Sequence, residues 1–132
     1  MINRFFWRLE DAKTGEPFAM HQPRADFRGE TWTVFAGTPP RKLGSQGHIF
    51  VKDEDDRTRE FYPGVYGLAW RLRPELFTAS QLMRARGGGF AGHLAQAYQV
   101  ADQDNAWRIL EAFPDLFTHY LVEVENASGV EA

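Results

Sequence analysis

The chain has 132 residues, 43% hydrophobic and 14% aromatic, a composition that excludes intrinsic disorder and fits one domain, or a β module carrying a helical extension. It has no cysteine, which excludes disulfides, iron–sulfur clusters, thiolate zinc sites and a cysteine nucleophile. The formal net charge of −3 is unevenly spread: residues 1–86 carry 14 of the 15 basic side chains and a net +3, and residues 87–132 carry Arg108 alone against seven acids. That asymmetry argues against a protein that coats DNA along its whole length, and leaves room for one basic surface on the front half.

The first apolar run, Phe5-Phe6-Trp7, is flanked by Arg4 and Arg8. It is too short for a signal peptide or a membrane span, so the expectation is a cytoplasmic protein that does not enter the membrane. Phe5, Trp7 and Leu9 alternate with Arg4, Phe6 and Arg8, which predicts a half-buried strand ending at Asp11 to Gly15. An irregular stretch follows from Glu16 to Gly29, with Pro17 and Pro23. Glu30 to Ala36 is β-branched and aromatic, with Trp32, Val34 and Ala36 expected on one face. A loop from Gly37 to Gly47 holds Pro39-Pro40, which a central strand excludes. His48 to Lys52 is the next strand, with Ile49 and Val51 inward. Asp53 to Asp56 is a polar turn, and Thr58 to Tyr62 returns as a hairpin. Pro63-Gly64 breaks that strand, and Gly67 to Leu72 is the last one, stopped by Arg73-Pro74.

The back half changes period. Thr78 to Met83 reads as a helical turn or two, ended by Gly87-Gly88-Gly89. Phe90, Leu94, Ala97, Tyr98 and Ala101 then form a helical stripe. Asp102 is an expected N-cap for a helix burying Ala106, Ile109, Leu110 and Phe113. Pro114 suits the first turn of another, which turns Phe117, Tyr120 and Leu121 inward. The tail from Glu125 to Ala132 is expected to fray. The fold expected is α+β: a small five-stranded antiparallel SH3-like barrel over residues 1–75, then a two- to three-helix C-terminal pack over residues 76–132. On this reading the period switches near the glycine triplet.

Motifs of known chemistry mostly fail on spacing. The glycine triplet is followed by Phe90-Ala91, where a phosphate loop needs Lys-Ser or Lys-Thr. A flexible joint is the better reading, although Arg84 and Arg86 precede a helix start that could hold an anion. The run Asp53 to Asp56 has Arg57 and Thr58 where a calcium loop needs an oxygen ligand and a glycine. His21, His48, His93 and His119 show no metal-ligand spacing, so no metal and no cofactor is expected. Ser45 lies in Gly44-Ser45-Gln46-Gly47, which is not a serine-hydrolase elbow, because the glycine spacing is wrong and a strand follows. No residue is assigned a catalytic role.

One loop remains. Arg41, Lys42, Ser45, Gln46 and His48 combine two cations, a hydroxyl and an amide on flexible backbone beside Phe50 and Tyr62. With Arg59 they form a candidate ligand- or partner-binding set, to which Arg24, Arg28 and Arg57 could add. The competing reading is a solvated barrel loop.

The ordered motifs Asp26-Phe27-Arg28-Gly29-Glu30, Pro39-Pro40, Ser45-Gln46-Gly47-His48-Ile49-Phe50-Val51 and Phe61-Tyr62-Pro63-Gly64-Val65-Tyr66-Gly67-Leu68 resemble a module of small proteins from tailed bacteriophages. So does the pattern Ala97, Ala101-Asp102, Asn105, Leu110, Ala112-Phe113-Pro114 and Tyr120. The resemblance covers about two thirds of the chain and supplies no catalytic residue. It implies a phage or prophage accessory protein in the bacterial cytoplasm. Such a protein would act without catalysis, by binding a host protein or complex such as a defence system. Two alternatives stand beside it: an SH3-like nucleic-acid or nucleotide-binding module using Arg41, Lys42 and the Gly44–Gly47 turn, and a small enzyme whose site assembles around His21 or His48 only in three dimensions. Homo-oligomerisation through the helical half is open.

Overall fold

The computed structural model describes residues 6–26, 28–42 and 44–129. The expectations placed on Arg4, Phe5, Phe27, Leu43 and residues 130–132 lie outside these. The chain is α+β, and its described residues form six strands and then four helices. Two compact units divide it: Trp7–Arg71, and the segment from Leu72 onward together with Phe6.

In the first unit, β1 (Trp7–Asp11) pairs with β6 (Leu68–Leu72), and a four-stranded sheet runs in the order β2 (Pro23–Ala25), β3 (Thr31–Thr38), β4 (His48–Lys52), β5 (Thr58–Phe61). Neither sheet closes into a barrel, so the expected five-stranded SH3-like barrel gives way to two open sheets. Among the described strands β1 and β6 pair only with each other, and the four-stranded sheet ends on β2, a three-residue strand inside the stretch read as irregular. Pro23 opens it at the sheet edge, the place where a residue without an N–H is tolerated. The core of this unit contains Leu9, Trp32, Val34, Ile49, Val51, Leu68 and Trp70, all buried.

The register of β3 departs from simple alternation. Val34 pairs with Val51, but Ala36 pairs with Phe50, leaving Phe35 as the extra residue of a β-bulge. Ala36 therefore turns away from the face of Trp32 and Val34, and Gly37, opposite Ile49, takes the buried position instead. A Cβ on Gly37 would lie 2.6 Å from Cζ2 of Trp70 and 3.1 Å from the His48 carbonyl oxygen. The bare glycine lets the indole slide over β3, where its Nε1 donates to that same carbonyl at 3.1 Å.

Several turns are built on carboxylates. Asp26 accepts from the Arg28 and Glu30 amides at 2.8 and 3.0 Å and from Trp32 Nε1 at 3.0 Å. Partial desolvation opposes ionisation, but these donors and the Arg28 charge outweigh it and hold the Asp26 carboxyl below its ordinary range. Asp53 does the same at the hairpin tip, accepting from the Asp55 and Arg57 amides and from Arg57 Nε. The acidic run is thus a self-capped turn.

The second unit contains α1 (Glu75–Arg86), α2 (Gly88–Val100), α3 (Gln103–Ala112) and α4 (Pro114–Gly129). The change of period comes at Arg73-Pro74, ahead of the glycine triplet. α1 buries Leu76, Ala79, Ser80 and Met83, a stripe masked in the sequence by its serine. Ser80 is satisfied: its hydroxyl donates to the Phe77 carbonyl at 2.5 Å and accepts from Gln99 Nε2 at 3.0 Å.

The joint between α1 and α2 is tight. A Cβ on Gly87 would come within 2.6 Å of both the Ala91 Cβ and the Met83 carbonyl oxygen, and Gly88 has φ of +78°. This close approach puts Ala91 and Ala95 on the buried face of α2. The expected stripe is displaced by one residue, which leaves Phe90 66% exposed. α3 starts on Asp102, whose side chain accepts from the Asn105 amide at 2.8 Å, as expected of its N-cap. Ala106, Trp107 and Leu110 are its buried residues, while Phe113 is exposed and meets Phe90 edge-on. Pro114 opens α4, which buries Phe117 and Leu121 and continues through Glu125 to Gly129 where fraying was expected. Arg73 with Glu125, at 3.1 Å, ties that last stretch down. No helix among the described residues is long and apolar enough to cross a membrane.

Candidate functional site

An open cleft of about 470 Å³ lies on the outer face of the four-stranded sheet. Strand pairing builds its floor. Ile49 and Val51 point to the core, so His48 and Phe50 point outward, and the register sets Phe50 beside Glu60 and His48 beside Thr38. The wall is the Pro39–Gly47 loop, which contributes Arg41, Lys42 and Ser45. Phe50 is half-buried, and the exposed Tyr62 ring stacks on His48 with centroids 5.2 Å apart.

The loop is held at its exit. Gln46 accepts from the Gly64 amide through Oε1 at 3.3 Å, and Ser45 Oγ accepts from the Gly47 amide at 3.2 Å. Gly47 sits at φ +73°, and a Cβ there would lie 2.5 Å from the Thr38 carbonyl oxygen. Only glycine lets the chain pass so close to the end of β3. The diproline stiffens the entrance.

The electrostatics are mixed. Arg41 and Lys42 are exposed, and among the described residues neither has an ion-pair partner. Glu60 faces them across the cleft with its side chain 53% exposed, and the His48 ring lies beside it with Nδ1 at 3.8 Å, beyond hydrogen-bond distance. The cleft therefore offers two cations, one carboxylate, a hydroxyl and a flat apolar floor within one small volume.

Of the six candidate residues, the structure gathers Arg41, Lys42, Ser45 and His48 around the cleft. Gln46 instead turns to Gly64 and braces the loop. Arg59 pairs with Val51, on the opposite face of the sheet from Glu60, and does not line the cleft. Arg24 pairs with Asp11 at 3.7 Å and lies over the Phe18 ring, Arg28 serves Asp26 and Glu30, and Arg57 serves Asp53, so these three act locally. Glu60 was missed. Its signal was available: folding the hairpin about the Asp53–Asp56 turn places it opposite Phe50.

The four histidines play separate parts. His48 lines the cleft. His21 has φ of +70° in the loop before β2, His93 Nδ1 is 2.6 Å from the Gly89 carbonyl, and His119 meets Tyr120 edge-on. No group of three or more His, Asp and Glu side chains that could hold a metal occurs among the described residues. Arg86, considered for an anion, pairs with Glu123 at 3.0 Å, and Arg84 donates to Gln99 at 3.2 Å. A second groove of about 480 Å³, in the helical unit, is lined by Val100, Asn105, Arg108, Ile109 and Phe113 among others. It is largely apolar with a single cation, and lacks the convergent polar groups of the cleft. No protein-family model matches the chain, and no curated protein or solved structure matches it.

Proposed function

We propose that this chain is a non-enzymatic, phage-type accessory protein that binds a host component in the bacterial cytoplasm, and that the cleft beside β4 is its binding surface. The observation that carries the reading is the pair Arg41 and Lys42, two exposed cations with no ion-pair partner among the described residues, on a loop that Gln46, Gly47 and the diproline hold over an aromatic floor. A cation pair on a braced loop loses less conformational entropy on binding than one on a free segment. The motif resemblance to tailed-phage proteins supplies the setting, and a defence complex is the host component it favours.

The test is capture from a bacterial lysate with the wild-type chain and with the Arg41→Glu, Lys42→Glu double variant. The expected result is a specific host component, protein or small molecule, retained by the wild type and lost by the variant. Capture that is identical in both would remove the cleft from the reading. Nothing retained above background by either would remove the reading itself. A nucleic-acid-binding module is the second reading, favoured by the exposed stack of Tyr62 on His48 next to two cations. It requires affinity for DNA or RNA that falls steeply with salt.

A further inference from the structure

The contents of the cleft restrict what can fill it. An acidic peptide would meet Arg41 and Lys42 favourably, but its carboxylates would be repelled by Glu60, which faces the same space. A bare phosphate would satisfy the two cations but leave Glu60 without a donor and the Phe50 floor uncovered. A basic ligand would suit Glu60 and be repelled by the two cations. The ligand must therefore be bifunctional, with an anionic end, a flat apolar middle, and N–H donors at the far edge.

We infer that the cleft binds a nucleotide, with its base laid on Phe50 and its N–H edge on Glu60, and its phosphate held by Arg41 and Lys42. The inference rests on the cleft being the binding surface, and names what it takes. The volume of about 470 Å³ suits a single nucleotide. Ser45 sits on the same loop as the two cations, where its hydroxyl can donate to a phosphate oxygen while accepting from Gly47. The base is specified by Glu60. A carboxylate accepts two hydrogen bonds side by side, and guanine is the base whose pairing edge presents two adjacent donors, a ring N–H and an amino group. Cytosine and adenine offer an amino group alone, and uracil a single ring N–H. The order of preference is guanine first and uracil last.

The experiment is titration calorimetry at low salt with the four ribonucleoside 5′-monophosphates, inorganic phosphate and a short guanine-containing RNA. The proteins are the wild type and the Glu60→Gln and Arg41→Ala, Lys42→Ala variants, all altered only at exposed side chains. The expected result is tightest binding of the guanine nucleotide, about tenfold or more over uracil. Glu60→Gln removes that preference while uracil affinity holds, and the Arg41, Lys42 double variant weakens every nucleotide together. Equal strength for the monophosphate and the RNA identifies a free nucleotide as the source of the base. Much tighter binding of the RNA identifies a strand. Binding without base preference, a preference that survives Glu60→Gln, or no binding up to about 1 mM overturns the inference. Lysate capture that still depends on Arg41 and Lys42 while the nucleotides fail would leave the cleft a binding surface for another ligand, which separates the two failures.

Discussion

Replacing Gly37 by alanine probes the contact that joins β3 to β6. The added methyl would stand 2.6 Å from Trp70 Cζ2 and 3.1 Å from the His48 carbonyl oxygen, so the indole must withdraw. Overpacking of this kind costs about 1–3 kcal/mol. Withdrawal also breaks the Trp70 Nε1 bond to His48, worth about 0.5–1.5 kcal/mol. Restricting the unfolded chain offsets about 0.5–1 kcal/mol. The net expectation is a loss of about 0.5–4 kcal/mol, at its upper end a large share of the ~5–15 kcal/mol that holds a typical domain together. Urea denaturation followed by tryptophan fluorescence measures it. Phenylalanine at position 70 lacks the outer indole atoms that meet the new methyl, so Gly37→Ala should cost at least about 1 kcal/mol less in a Trp70→Phe background. A Gly37→Ala cost within about 0.5 kcal/mol of zero, or the same cost in both backgrounds, would refute the reasoning.

Within the helical joint, Gly87→Ala should destabilise by about 2 kcal/mol or more, because its methyl meets Ala91 and the Met83 carbonyl. Gly89→Ala, with open space around it, should be neutral or stabilise by up to about 1 kcal/mol; thermal melts of the two variants make the comparison. Asp102→Ala should cost about 1 kcal/mol by removing the cap on the Asn105 amide, with faster hydrogen exchange in the first turn of α3. Burial pushes the Tyr98 hydroxyl up to about 12. Its contribution is complete below pH 10 and is lost as pH rises from 10 towards 12, because the folded chain keeps a proton there that the unfolded chain releases. That loss is on the order of 2–3 kcal/mol. Tyr98→Phe should remove it from the alkaline limb of the stability profile measured by chemical denaturation.

Legibility in the sequence followed how local each signal was. β4 and its inward pair Ile49 and Val51 were readable because alternation there is undisturbed. The Asp102 cap and the Pro114 helix start were readable because one residue each declares them. Ala36 was misplaced because the bulge at Phe35 depends on pairing with β4, which no window along β3 contains. β2 was missed because three residues carry no period. Phe90 was assigned to the core on hydrophobicity, but the close approach of α2 to α1 admits only small residues, so Ala91 and Ala95 were chosen by space. In the cleft, the loop residues announced themselves by composition. Glu60 did not, since its place comes from register across the hairpin. Arg59 was chosen for its charge, although alternation turns it to the other face.

The additional residue in β3 works as a phase adjuster between two jobs that one strand must do. Upstream of it the strand answers to the interior through Trp32 and Val34. Downstream it delivers Gly37 to Trp70 and Thr38 to the cleft. Pairing Phe35 itself with Phe50 would restore an unbroken ladder but exchange those last two positions, sending the threonine inward and the glycine out. A residue inserted between Ala36 and Gly37 would make the same exchange and should lower stability and ligand capture together. The same insertion at the Asp53–Asp56 tip, in solvent and downstream of no such hand-over, should be absorbed.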